Sequence, residues 1–268
     1  MNGVIIVDQQ RSGVWNMAID RALAEYARIH SLCILRLYLW ESPTLSLGYF
    51  QPYPTPSLQG NLSTLDVVRR ETGGGAIVHD HDVTYAIAMP DHSEKGHATQ
   101  LYLAAHQALI FWLTSIGVMA DFYSNRNQTS CDKTCNNDRY LCFERRSDFD
   151  IVVAGHKILG SAQRRHAGVI MQHGSLLVRR SDFAPSLMGL VEAASAETKA
   201  SGSSGDFSPV SSWQPIQLQN AMAETLSGKL GQDFGILWSR NSLENLVRPE
   251  SLNPFVDQFQ SFEWSLRD

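Results

Sequence analysis

Cys142 and Lys157 stand fifteen residues apart and are the pair of side chains in this sequence hardest to account for by packing alone. Cys142 ends a polar, asparagine-rich stretch in Leu141-Cys142-Phe143-Glu144, and Lys157 opens an apolar run, Lys157-Ile158-Leu159. Each has a bland reading. Free cysteine is commonly a small buried hydrophobe, and a strand-end lysine commonly snorkels to water. Taken as a pair they offer chemistry: an ammonium beside a loop-borne thiol favours the thiolate, the form that attacks a carbonyl carbon.

Two glycine-bearing segments are candidates for holding what such a thiolate attacks. The first is Arg69-Arg70-Glu71-Thr72-Gly73-Gly74-Gly75-Ala76-Ile77-Val78-His79-Asp80. Three successive glycines let backbone N–H groups approach an anion or carbonyl with no side chain in the way. The run is neither a G-x-G-x-x-G fingerprint nor a P-loop, and a glycine triplet is as readily a hairpin turn. Arg69 and Arg70 could bind a phosphate or pair with acids. The second is Gly160-Ser161-Ala162-Gln163-Arg164-Arg165, leading into Gln172-His173-Gly174-Ser175. Its small residues would line a slot for something narrow and long, or simply let two strands cross closely.

The rest of the composition narrows the classes. The chain has 268 residues, a net charge of −5, 43% hydrophobic and 18% charged residues, which fits a globular protein and excludes wholesale disorder. The acidic balance argues against nonspecific nucleic-acid binding. No apolar stretch nears the ~20 residues a membrane helix needs, and MNGVIIVDQQRSG lacks a signal peptide's basic start, so a cytoplasmic location is expected. Cys131, Cys135 and Cys142 are spaced C-x3-C-x6-C, without the paired C-x2-C knuckles of common zinc sites, so no metal is expected; Cys131 and Cys135 remain a disulfide, a metal clip or nothing.

Hydrophobic periodicity then places these segments on elements. Strands are expected at 2–8, Cys33–Trp40, Leu45–Tyr49, and as a pair Ala76–His79 with Thr84–Ala88. A hairpin joins Asp148–Val153 to Lys157–Ser161 across Ala154-Gly155-His156, and Gly168–Val178 adds a third strand. Helices are expected at 14–29 after Ser12, Thr99–Ile116 before Gly117, Pro185–Ala196 and Pro215–Leu230. Residues 123–141 read as a long loop, Lys199–Ser212 as a flexible linker, and 236–268 as a tail without an independent domain behind a catalytic domain of 1–235. Strands and helices outside strict βαβ alternation indicate an α+β, mixed α/β domain.

At this point the segments cease to be independent. WNMAID (Trp15–Asp20), LRLYLWESPTLSLGYFQ (Leu35–Gln51), VVRRETGGGAIVHDHDVTYAI (Val67–Ile87), CFE (Cys142–Glu144), GHKILGSAQRR (Gly155–Arg165) and GVIMQHGSLLV (Gly168–Val178) together resemble the lipoate/biotin protein ligase and octanoyltransferase superfamily. The likeness runs in order over about the first two thirds of the chain, and six blocks in order are specific where any one is weak. The resemblance implies that superfamily's fold: a mixed β-sheet with packed helices, related to class II synthetase catalytic domains. It also implies an acyl chain lying under the glycine loop beside the lysine.

Two chemistries compete within it. Lipoate–protein ligases activate lipoate with ATP and Mg and keep the acyl-adenylate near the lysine. Octanoyltransferases take the acyl group from acyl carrier protein, hold it on a cysteine and pass it to a lysine of a lipoyl domain, with no cofactor. The chain is most similar to the cysteine-dependent octanoyltransferase branch, in which C-F-[ED] precedes the lysine by this interval. Gly75 points the other way, since the GGG triplet is a ligase feature where that branch often has arginine. The short tail favours the transferase, or a ligase half needing a partner, because a typical bacterial ligase carries an accessory domain or a separate partner chain.

Carried onto this sequence, the resemblance makes Cys142 the nucleophile, and Lys157 first the thiolate's counter-ion and then, neutral, the base for the incoming amine. N–H groups at Gly74-Gly75 or Ser161-Ala162 would hold the oxyanion. Arg70, Gly73, Gly74, Gly75, His79, Gly160, Ser161, Ala162, Gln163, His173 and Gly174 would bind the substrate, His79 and His173 chiefly by buttressing loops. A non-catalytic acyl-binding module is the remaining alternative.

Overall fold

A computed structural model of the chain describes residues 1–53, 60–91, 97–126, 140–201, 212 and 214–266. In chain order it contains β1 (Asn2–Arg11), α1 (Gly13–His30), β2 (Cys33–Trp40), β3 (Thr44–Leu47), β4 (Asp66–Arg69), β5 (Ile77–His79), β6 (Asp82–Pro90), α2 (His97–Ser115) and β7 (Asp121–Phe122). There follow β8 (Ile151–Val153), β9 (His156–His166), β10 (Val169–Leu177), α3 (Leu190–Ser201), α4 (Pro215–Phe234), β11 (Leu237–Arg240) and α5 (Pro249–Gln260). Eight strands form one mixed sheet in the order β11-β1-β2-β6-β10-β9-β8-β7, and β4-β3-β5 form a second, smaller sheet. The mixed α+β class is the one the sequence indicates.

The large sheet is buried on both faces, which is why β6 and β10 are buried at every position. On one face α2, α3 and α4 pack through Leu101, Leu109, Leu190, Met222 and Leu226. On the other, α1 and α5 pack through Met17, Ile19, Leu23, Leu252 and Phe259. Both hairpins turn on an alanine–glycine pair with φ above zero. They are Ala154-Gly155 (φ 49° and 78°) and Ala167-Gly168 (φ 48° and 79°), the two-residue geometry that matches the right-handed twist of the strands they join.

Four expectations change. Ala76–His79 and Thr84–Ala88 do not pair with each other: β5 lies against β3, while β6 lies between β2 and β10. The chain changes sheets at this corner, where the His79 imidazole bonds to the Asp82 carboxylate at 2.9 Å. The helix expected at Pro185–Ala196 begins at Leu190 and runs to Ser201, so the first three residues of the expected linker are helical and most of the remainder lies outside the described residues. In the expected long loop Tyr123–Arg126 make one helical turn, and 127–139, with Cys131 and Cys135, lie outside the described residues. The weakly patterned tail is well structured. Within it β11 extends the sheet beside β1 in parallel, α5 covers α1, and Trp264 reaches the base of the glycine loop.

Candidate active site

The glycine triplet spans the connection from β4 to β5, and Arg70 fixes its shape. Its guanidinium donates to the carbonyls of Gly73 (2.8 Å), Gly75 (2.7 Å) and Ser46 (2.9 Å), and to the Ser46 hydroxyl at 3.2 Å. Arg70 thus bonds carbonyls and a hydroxyl rather than an acid, and burial pushes its guanidinium down to about 10. Arg69, its neighbour, donates to the carbonyls of Gly48, Gln51 and Trp264, while the Trp264 indole donates back to the Arg69 carbonyl at 3.0 Å. The two arginines therefore tie the loop to the small sheet and to the tail.

Cys142 is held against this loop by its backbone. Its N–H donates to the Ala76 carbonyl (2.7 Å), and the Ala76 N–H donates to the Tyr140 carbonyl (3.1 Å). A Cβ on Gly75 would lie 3.0 Å from the Cys142 nitrogen, so glycine there is what allows the cysteine segment to close on the loop. At Gly74, with φ of 92°, the corresponding point lies 3.9 Å from the Cys142 sulfur and 3.8 Å from the Ala162 Cβ. The cysteine thus sits between the glycine loop and β9. Cys33 is the other free cysteine among the described residues, fully buried with its thiol pushed well up by burial, and it is no candidate nucleophile.

Lys157 reaches the same place from β9. Its ammonium lies 3.9 Å from the Cys142 sulfur and 3.2 Å from the Cys142 carbonyl. A residue the sequence reading passed over completes the group: the Asp150 carboxylate lies 2.9 Å from Lys157 Nζ, and both side chains are nearly sealed, at 2% and 4% exposed. The pairing satisfies a buried ammonium that would otherwise be prohibitive. Asp150 also accepts from the Ser147 N–H at 2.7 Å, which aims its carboxylate. No linear signal marked it: the hairpin sets Lys157 opposite Val152, and Asp150, two residues before Val152, is reached diagonally by the long lysine side chain.

Behind Cys142 a narrow cavity opens between the two sheets and the start of α1. Of the sequence candidates, Arg70, His79, Cys142, Gly160, Ser161, Ala162, His173 and Gly174 line it, and Met17, Tyr38, Trp40 and Thr84, which lie in the resembling segments but were not candidate site residues, supply further walls. The polar groups of the wall are turned to one another. His79 bonds Asp82 and Ser46 and stacks on Trp40 at 3.8 Å, while His173 bonds Asp20 and Thr72. Burial works to raise Asp20, but the bonds from Arg36 and His173 outweigh it and hold its carboxyl below the ordinary range. Burial itself lowers the His79 imidazole despite Asp82. What remains facing the cavity is largely apolar.

Lys157, Gly73, Gly74, Gly75 and Gln163 are not on that wall. The Gln163 carboxamide donates to Gln172 (2.7 Å) and to the Ala98 carbonyl (2.8 Å) at the α2 side of the sheet. Ser161 turns its hydroxyl the same way, between His106 Nε2 and Tyr85, each at 2.7 Å. A Cβ on Gly174 would lie 2.2 Å from the Tyr85 ring, so that glycine makes room for tyrosine. Among the described residues β9 beyond Leu159 pairs with β10 alone, and its Ser161 carbonyl accepts from the Tyr102 hydroxyl at 3.2 Å. Among the described residues no three His, Cys, Asp or Glu side chains are placed to hold a metal ion, and no helix is long and apolar enough to cross a membrane.

Comparison with known proteins places the chain in a family. Octanoyltransferase LipM of Carboxydothermus hydrogenoformans is 29% identical over 270 residues, covering 96% of this chain and 95% of its own. The LipM of Kyrpidia tusciae is 35% identical over 176 residues, 62% of each chain. Among solved structures, a bi-partite lipoate protein ligase of Thermoplasma acidophilum (TM-score 0.64, 18% identity, 99% of this chain and 96% of that one) shares the fold. So does a lipoate-protein ligase A bound with ATP (TM-score 0.66, 17% identity, 99% of each chain). The sequence profile of the lipoyl protein ligase A/B catalytic domain matches residues 12–226, and this chain is an enzyme of that family.

Proposed function

We propose that this chain transfers an octanoyl group from acyl carrier protein to a lysine of a lipoyl domain through a thioester on Cys142. One observation carries the reading: a thiol lies 3.9 Å from a buried, carboxylate-paired ammonium at the mouth of a largely apolar cavity. The name of the LipM relatives supports the same reaction. In the first step the Cys142 thiolate attacks the donor carbonyl, a new carbon–sulfur bond forms, the old one breaks, and the carrier thiol leaves with a proton. The exchange of one thioester for another is close to isoenergetic and needs no ATP. In the second step the acceptor amine attacks the enzyme thioester, the amide forms, and Cys142 is released as thiol or thiolate.

Lys157, held by Asp150, stands 3.9 Å from the Cys142 sulfur, within reach of the proton that each acyl transfer must move. The backbone of β9 at Gly160–Ala162 and the glycine loop supply candidate donors for the oxyanion, one of which is typically worth ~3 kcal/mol. The C8 chain lies in the cavity toward Tyr38, Trp40 and Met17, gaining about 0.8 kcal/mol per methylene buried. Gly75, the feature that favoured a ligase, has a local explanation in the approach of the Cys142 backbone. Intact-mass measurement after incubation with octanoyl-acyl carrier protein tests the proposal. A gain of one octanoyl group, absent in Cys142→Ala, supports it; no gain, with an adduct only when ATP and lipoate are added, replaces it with ligation.

A further inference from the structure

A second, narrow concavity lies further along the same three elements. On β9 and β10 the cross-strand pairs Gly160–Ser175 and Ala162–His173 line the first cavity. The next two pairs on the same face, Arg164–Met171 and His166–Val169, line the second. On α1, Met17 faces the first cavity, and Arg21 and Arg28, one and three turns further on, face the second. The two thus follow one another along the α1 side of β9 and β10, the first beside Cys142 and the second lined by arginines.

The charge in that second stretch is uneven. Three arginines and a histidine line it against two carboxylates: Arg21 pairs with Glu71 at 3.2 Å and Arg28 with Glu25 at the surface. Arg164 has no carboxylate partner among the described residues; it lies 3.8 Å over the Tyr49 ring and donates only to the Glu71 carbonyl, at 3.3 Å. A chain of net charge −5 thus places an unmatched guanidinium in a concavity that follows the one lined by its reactive thiol.

We propose that this stretch binds the phosphate of the donor's phosphopantetheine arm, through Arg164, Arg28 and His166; the inference rests on the acyl-carrier reading above. The dimensions agree. Ala162 to His166 spans about 13 Å of strand, and a pantetheine arm, with its two peptide-like units, reaches about 15 Å from sulfur to phosphorus when extended. The acyl chain then occupies the first stretch, the thioester meets Cys142, and the phosphate meets the guanidinium groups, where charge-assisted bonds are strongest.

Three donors separate the sources of negative charge: octanoyl-pantetheine, octanoyl-4′-phosphopantetheine and octanoyl-acyl carrier protein. The expected result is a preference of about tenfold or more in kcat/KM for the phosphorylated small donor over the unphosphorylated one. That ratio should collapse toward one in Arg28→Gln/Arg164→Gln and persist in Arg240→Gln, a control at the end of β11 whose side chain bonds Asn220 and Glu224 of α4. Calorimetric binding of 4′-phosphopantetheine against pantetheine to Cys142→Ala gives the same comparison without chemistry, so it decides the phosphate site even if no donor loads the cysteine. Equal affinity for the two small ligands, or an unchanged ratio in the double variant, overturns the proposal. An effect of the double variant confined to the carrier-protein donor also overturns it and assigns the arginines to the carrier's acidic surface.

Discussion

Gly160→Ala is the sharpest test of the Lys157 geometry, because one methyl group acts on one side chain. A Cβ built there lies 2.6 Å from Lys157 Cε, 2.9 Å from Nζ and 3.4 Å from the Asp150 carboxylate. Ordinary contact begins near 3.4 Å, so the end of the lysine must retreat by roughly 0.8 Å. It is the far end of a flexible side chain, so the backbone of β9 need not move and the cost to stability should stay within about 1–2 kcal/mol. The ammonium, however, is held at 2.9 Å from Asp150 and 3.2 Å from the Cys142 carbonyl, and it cannot keep both after that displacement. A misplacement of about 1 Å at a reacting group costs on the order of 10²-fold. Single-turnover loading of octanoyl onto Cys142, followed by intact mass, should therefore slow by about that factor while the urea midpoint moves little. Gly228→Ala, on the exposed face of α4 with nothing within 4 Å, serves as the control and should leave loading unchanged. A folded Gly160→Ala enzyme that loads at the wild-type rate would show that the position of the Lys157 ammonium does not limit the chemistry.

Three further outcomes are expected. Cys142→Ser should abolish transfer, since a hydroxyl is not ionised here as a thiol can be, while the bonds from the Cys142 backbone to Ala76 keep the fold; retention of more than a few per cent of activity would remove Cys142 as nucleophile. Ala162→Leu should block octanoyl transfer and spare a short donor such as butyryl, because Ala162 lines the cavity beside the glycine loop; equal loss with both donors would put the acyl chain elsewhere. Burial pushes the His106 imidazole from 6.5 down to about 4, so the unfolded chain takes that proton first, and stability that is full above pH 6.5 is lost as pH falls toward 4. About 2 kcal/mol should be gone at pH 5, and His106→Gln should lose that much less between pH 7 and pH 5 by urea unfolding; identical losses in the two proteins would acquit His106.

The sequence by itself determined the local pieces, and through the family resemblance it named Cys142 and Lys157 as the candidate pair. Alternating apolar runs separated by Ala154-Gly155 and Ala167-Gly168 specify adjacent hairpins, because strand period and turn chemistry are written within a dozen residues. Cys142 and Lys157 were legible as candidates from the C-F-E and G-H-K segments, but their approach to 3.9 Å needs the backbone bond that holds Cys142 against Ala76. Pairing across long separations was decided by the tertiary structure. Period two tells that Ala76–His79 is a strand but not that its partner is β3 rather than β6, since any apolar face of matching register satisfies the pattern. Asp150 became meaningful only opposite Lys157, His106 only when α2 set its ring 2.7 Å from Ser161, and the tail only when Trp264 met Arg69. These are polar groups whose burial is tolerable solely because a distant partner satisfies them. A linear pattern records the awkward residue, and the fold alone supplies the partner that resolves it.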